Sequence, residues 1–142
     1  MRSRRIGRWA VVTVALTAAL GCGASAQPPP VSPRLGAPFT LAPGETARLD
    51  RDRLTVSFGE VPADSRCPAG TTCVWEGDAT VVTEVAVGGR SSRHELHTNG
   101  RFATGAAVGG YRIELVALRP SRPESAAVPA ADYRAELLVT AQ

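Results

Sequence analysis

The chain contains no lysine; all 16 of its basic residues are arginine. That bias points to GC-rich coding and says little about function. Methionine occurs once, at Met1, so no thioether pair is available for copper(I). Histidine occurs only at His94 and His97. Their spacing of three puts them on opposite faces of a strand, which argues against a shared metal. A zinc site built on Cys67 and Cys73 would need two further Cys or His ligands. Cys67 and Cys73 enclose five residues, and no helix pattern follows them. The C-x-x-C at a helix N-terminus that lowers a thiol pKa is therefore missing. Also missing are a G-x-S-x-G elbow, an H-E-x-x-H pair and a glycine-rich loop that opens a helix. Ser, His and Asp are present, but no spacing selects a triad. These absences lead us to expect no catalytic residues, no cofactor and no enzyme activity. Beyond the N-terminus there is no sustained helical periodicity, which removes helical fold classes.

The N-terminus has its own signature. Met1 to Arg8 carries four arginines, Trp9 to Leu20 is apolar and uncharged, and small residues run from Gly21 to Ala26. A basic region, a short apolar region and a small-residue site make a secretory signal peptide over residues 1–26. The apolar run falls short of the ~20 residues a membrane-spanning helix needs. Two processing sites compete. Ala24-Ser25-Ala26 suits cleavage before Gln27, giving a freely secreted or periplasmic protein. Ala19-Leu20-Gly21-Cys22 resembles a lipobox, with Cys22 the lipidated residue, and this is the favoured reading. Ser3-Arg4-Arg5 is a weaker hint of twin-arginine export. With the signal removed, 12 basic residues (16 less 4) face 13 acidic ones, a net charge of −1. The basic pI thus belongs to the leader, and neither nucleic acid nor an anionic membrane is expected as partner of the domain. The expected membrane contact is the N-terminal lipid alone.

Residues 27–38 hold five prolines and read as an extended tether. From residue 39 to 142 the pattern is β. Phe39–Leu41 and Glu45–Leu49 are short candidates, and Asp50-Arg51-Asp52 makes a polar turn. Arg53–Val61 alternates, with Leu54, Val56 and Phe58 on one face. Ala79–Val87 does so again and leads through Gly88-Gly89, a two-residue hairpin turn, into Arg90–Thr98, anchored by Leu96. Asn99-Gly100 is a second turn signal. Gly109-Gly110 precedes Tyr111–Leu118, with Tyr111, Ile113 and Leu115 on one side. Arg119–Ala131 reads as a loop, and Asp132–Thr140 presents Tyr133, Ala135, Leu137 and Val139 together. The expected architecture is an all-β antiparallel sandwich or small barrel of six or seven short strands.

Between the two clearest strand patterns lies Asp64-Ser65-Arg66-Cys67-Pro68-Ala69-Gly70-Thr71-Thr72-Cys73-Val74-Trp75-Glu76-Gly77-Asp78. An even cysteine pair in an exported chain reads as one intrachain disulfide, Cys67–Cys73. The enclosed loop is either a staple at the sheet rim or a rigid recognition loop. A strand running from Val74 into Val81 would put Trp75 in the core as a structural anchor, with Glu76 and Asp78 facing outward. Asp64 can cap a turn, and Arg66 can pair with Asp64 or Glu76. The rival arrangement is a binding surface made of Asp64, Arg66, Glu76 and Asp78.

Asp64-Ser65-Arg66-Cys67-Pro68 followed by Cys73-Val74-Trp75-Glu76-Gly77-Asp78-Ala79 resembles the D-S-R-C-P…C-x-W-x-G-x-A signature of a family of small exported bacterial proteins, many read as lipoproteins. The likeness extends more loosely from Phe39 to Val139. It implies a single β domain with a disulfide; it implies no activity, because none is established for that family. The functional expectation is an exported, lipid-anchored β-sandwich protein of the cell envelope. Its role is binding or structural, toward an envelope or extracellular protein or a small ligand. Inhibition of a secreted hydrolase through the Cys67–Cys73 loop is the first alternative, and an envelope hydrolase that leaves no sequence trace is the second.

Overall fold

The computed structural model describes residues 27–142. The signal peptide expected over residues 1–26 and the candidate lipidation site Cys22 lie outside the described residues. Nine strands follow one another: β1 Phe39–Leu41, β2 Thr46–Leu49, β3 Leu54–Phe58, β4 Ala63–Asp64, β5 Ala79–Val87, β6 Arg90–His97, β7 Gly105–Val108, β8 Tyr111–Arg119 and β9 Arg134–Ala141. All strand pairs are antiparallel, and they form two open sheets. One has the order β1-β9-β8-β7. In the other, β5 is central, with β6 along one side and β3 and β4 sharing the other. The fold is a sandwich, not a barrel, and it has two more strands than the alternation alone suggests.

Alternation explains how the sheets face each other. Leu54, Val56 and Phe58 of β3 are fully buried, as are Ala79, Val81 and Val85 of β5. Ala135, Leu137 and Val139 of β9 oppose them from the second sheet, with Ile113 of β8. Every second side chain of a strand points inward, so these positions make one core. Thr83 falls on the inner face of β5 and is also fully buried. Its hydroxyl donates to the carbonyl of His94 at 3.4 Å, which meets the need of a buried polar group for a partner. The β8–β9 register slips between Leu115 and Ala117. This bulge re-phases the alternation: Val116 points outward in the normal phase, and Leu118, which strict alternation would expose, is brought into the core.

Gly88 and Gly89 take φ of +58° and +78°, the left-handed pair that a tight β5–β6 hairpin requires. Asn99-Gly100 does something else. It lies in the crossover from β6 in one sheet to β7 in the other, where the Phe102 amide closes a turn on the Asn99 carbonyl at 3.0 Å. The tether expectation is also corrected. Val31 forms a parallel bridge with Ala47 and exchanges two backbone hydrogen bonds across the edge of β2. Leu35 packs on the core, and the Gly36 amide bonds the Val139 carbonyl at 2.8 Å. From Val31 on, this segment belongs to the sandwich and covers an otherwise open strand edge.

The Cys67–Cys73 disulfide is formed, with the two Cα atoms 5.9 Å apart. Disulfides persist in oxidising compartments, which is consistent with a location outside the cytoplasm. Among the described residues no helix is long and apolar enough to cross a membrane.

Candidate functional site

The disulfide loop grows out of the sheet. β4 pairs with the start of β5, Asp64 opposite Ala79. The pairing continues past both strands: the Ser65 amide donates to the Asp78 carbonyl at 2.7 Å and the Cys67 amide to the Glu76 carbonyl at 2.9 Å. Residues 63–67 and 76–80 thus form a two-stranded stem, closed beyond Cys67 by the disulfide. Gly77 makes the stem possible. Its φ is +68°, and a Cβ there would lie 1.9 Å from the Ser65 carbonyl oxygen. Only glycine tolerates both conditions.

Two carboxylates fix the stem from opposite sides. Asp64 receives the Arg66 guanidinium in a bidentate pair, Nε to Oδ1 at 2.8 Å and Nη2 to Oδ2 at 2.7 Å. It also accepts from the Tyr133 hydroxyl at 3.0 Å. The same guanidinium donates to the Leu118 carbonyl at 2.7 Å and the Pro120 carbonyl at 2.9 Å. The stem is thereby bolted to the loop that follows β8. The Asp64 and Arg66 side chains retain only 8% and 15% exposure. Burial alone would raise the Asp64 pKa, but the hydrogen bonds from Arg66 and Tyr133 outweigh it and hold the carboxyl below its usual value. Tyr133 shifts the other way: burial and the neighbouring carboxylate both push its hydroxyl up.

Asp78 does the same work toward the β6–β7 crossover. Its Oδ2 lies 2.6 Å from His97 Nδ1, and its Oδ1 accepts from the Asn99 amide at 3.0 Å and the Thr98 hydroxyl at 3.2 Å. Asn99 returns a side-chain bond to the Gly77 carbonyl at 2.9 Å. Burial works to raise the Asp78 pKa, and these hydrogen bonds together lower it. His94 lies on the other face of β6, 2.8 Å from the Ser92 hydroxyl. Among the described residues no cluster of three or more His, Cys, Asp or Glu could hold a metal ion.

Of the two arrangements the sequence allows, the stem takes the first at Asp64 and Arg66: Asp64 accepts from the Arg66 amide at 3.2 Å and pairs with its guanidinium, so the two act as one strut. Asp78, the other strut, is corrected, since it turns into a hydrogen-bond network instead of facing outward, and of the rival surface only Glu76 faces solvent. Trp75 is corrected in the opposite sense. It is no core anchor: 71% of it is exposed, beside Val74 at 92%. The strand begins at Ala79, and the left-handed Gly77 breaks any alternation carried back from Val81.

Comparison with known protein families, curated proteins and solved structures finds no match to this chain.

What the two struts hold in place is an open groove of about 720 Å³ at the disulfide end of the sandwich. One wall is Val74, Trp75 and Glu76; the other is Gly100, Arg101 and Phe102. Phe102 is 55% exposed and leans on the His97 ring, with centroids 5.1 Å apart. The Arg101 guanidinium lies 5.9 Å from the centre of the Trp75 ring, within cation–π range. Ser65, Asp78 and Asn99 contribute to the floor. Arg101 and Phe102 carry no strand alternation of their own, because they follow a turn signal, and so the sequence pattern does not single them out. An aromatic residue three positions after Asn99 is the one available clue. The loop itself, Ala69 to Cys73, is exposed and rooted by the Ala69 amide on the Arg122 carbonyl at 2.9 Å.

Proposed function

We propose that this chain is an exported, lipid-anchored β-sandwich protein of the bacterial cell envelope, and that it binds a partner through the groove between Trp75 and Phe102. Export rests on the arginine-rich leader with its apolar run and small-residue site. Anchoring rests on Cys22 after Gly21, and the resemblance to the D-S-R-C-P signature family agrees with both. The observation that carries the binding role is the exposure of Trp75. It is the only tryptophan in residues 27–142, and leaving it out of the core forgoes about 2 kcal/mol or more of burial energy. Exposed apolar patches with a polar rim mark contact surfaces, and aromatic and arginine side chains dominate their energetics. The reading assigns no catalytic residue.

Co-sedimentation of the purified chain with isolated cell envelopes tests this reading. Wild type should bind, and Trp75→Ala should bind far less while folding normally. Equal binding by both would remove the groove from consideration. Mass spectrometry of the processed N-terminus decides the anchor: a diacylated Cys22 supports it, and a free Gln27 replaces it with ordinary secretion.

A second reading is favoured by the exposed, rooted Ala69–Cys73 loop: inhibition of a secreted hydrolase by insertion of that loop. A loop already fixed by a disulfide loses little entropy on docking. Here Cys67→Ser/Cys73→Ser, and not Trp75→Ala, should abolish the interaction.

A further inference from the structure

We infer that the groove takes a neutral saccharide, a sugar ring stacked on Trp75 and hydrogen-bonded between Glu76 and Arg101. The inference rests on the binding role proposed above and names its ligand. Charge complementarity selects the class. Among the described residues neither Glu76 nor Arg101 forms an ion pair; both line the groove that holds Trp75, and the Arg101 guanidinium lies 5.9 Å from the centre of the indole ring. An anionic ligand would gain Arg101 and meet Glu76; a cationic one would do the reverse. A hydroxylated ring satisfies both, donating to the carboxylate and accepting from the guanidinium. Its apolar C–H face matches an indole that is 71% exposed and whose one ring contact among the described residues is the Arg101 guanidinium. A bilayer fits less well. The site is concave, and seating it in lipid would desolvate the Glu76 carboxylate without a partner. The interior struts supply the rigidity that a weakly held sugar needs, because Asp78 fixes the wall carrying Arg101 and Phe102.

The test uses the full chain with Trp9→Phe, so that Trp75 is the lone tryptophan. Cellotetraose, chitotetraose and maltotetraose are titrated, and the indole emission is followed. At least one should give a saturable change in the millimolar range or tighter, little affected by salt because the ligand is uncharged. Trp75→Ala, read by calorimetry, should abolish it. Glu76→Gln and Arg101→Gln should each weaken it about tenfold, the loss of one charge-assisted hydrogen bond. These side chains are exposed, so the variants keep the wild-type unfolding temperature. The inference is overturned if none of the sugars gives a saturable change. It is equally overturned if the emission shifts instead with vesicles of phosphatidylglycerol, with an acidic or basic peptide, or with protein concentration alone. Trp75-dependent binding to envelopes without a sugar response would overturn the saccharide and leave the binding role standing. Loss of both would overturn the two together.

Discussion

Replacing Arg66 by Met removes one guanidinium and strands three acceptors. Asp64 loses both bonds of its bidentate pair and keeps the Tyr133 hydroxyl and the backbone amide of residue 66, at 3.0 and 3.2 Å. The carbonyls of Leu118 and Pro120 lose donors at 2.7 and 2.9 Å. Breaking a buried ion pair by removing one partner costs about 3–5 kcal/mol, because the remaining charge is left in a poor dielectric. The pair is not fully sealed, with 15% and 8% of the two side chains exposed, and Pro120 sits where water can replace the donor. The lower end, about 3 kcal/mol, is therefore expected. For a domain of this size that lowers the unfolding temperature by about 10 °C. Thermal unfolding followed by far-ultraviolet circular dichroism measures it directly. Asp64→Asn/Arg66→Met closes a double-mutant cycle. Removing the stranded charge should recover about 1–3 kcal/mol relative to the sum of the single changes. A single variant that melts within about 2 °C of wild type would refute the strut, since such a shift is worth well under 1 kcal/mol. Additive single changes would refute it too.

Gly77→Ala should be among the most damaging single changes, since its Cβ meets the Ser65 carbonyl; Gly70→Ala, at φ +82° with open space around it, should cost only about 1 kcal/mol. Urea titrations of both compare the two directly. Acid should weaken the fold through Asp64 and Asp78. Both carboxyls sit below the usual 3.8 in the folded chain, so the unfolded chain binds more protons as the pH drops; their stabilisation is complete above about pH 4 and is lost as pH falls through the depressed values. Stability measured against pH should drop there, and less steeply in Asp64→Asn. Opening the disulfide with Cys67→Ser/Cys73→Ser should cost about 2 kcal/mol, the entropy of so short a loop, and a calorimetric scan checks it. Trp75→Ala should leave the unfolding free energy within about 0.5 kcal/mol of wild type, as befits an exposed site.

The sandwich is legible wherever a strand carries its own alternation. Ala79–Val87 and the face made by Tyr133, Ala135, Leu137 and Val139 can be traced residue by residue, because a period of two in β-branched and aliphatic side chains fits a half-buried strand and little else. β4 and β7 escape such a reading. Ala63-Asp64 is too short to show a period, and Gly105-Ala106-Ala107-Val108 has too little side chain to show contrast. The disulfide pairing is legible from the cysteine count. The polar site is legible only in its Arg66–Asp64 pair. Whether Asp64 and Asp78 face water depends on partners at residues 97–99, 118, 120 and 133, which only the tertiary fold brings near. A local reading pairs Asp64 with Arg66 but gives Asp78 to solvent by default, and that default fails at Asp78. Trp75 fails for the complementary reason: the core rule for large aromatics assumes a continuous strand, and Gly77 ends it.

The two failures have one physical origin. Each strut ties one root of the segment between Arg66 and Asp78 to a different loop, Arg66 to the chain after β8 and Asp78 to the chain after β6. The polar groups that usually coat a surface are turned inward to hold the segment. The apolar groups that usually fill a core are left exposed, Val74 and Trp75 on this segment and Phe102 on the facing loop. A staple alone would not need that inversion, because the disulfide and the stem hydrogen bonds already close the loop. The inversion becomes intelligible if these exposed groups are where the molecule meets its partner. In that case loosening either root should harm binding more than folding. Asp78→Asn, which keeps the shape and weakens the grip on the His97–Asn99 wall, is the cleanest probe: it should lower envelope binding severalfold while costing about 1 kcal/mol of stability. Unchanged binding in that variant would mean that the groove wall needs no fixed position and that the struts serve the fold alone.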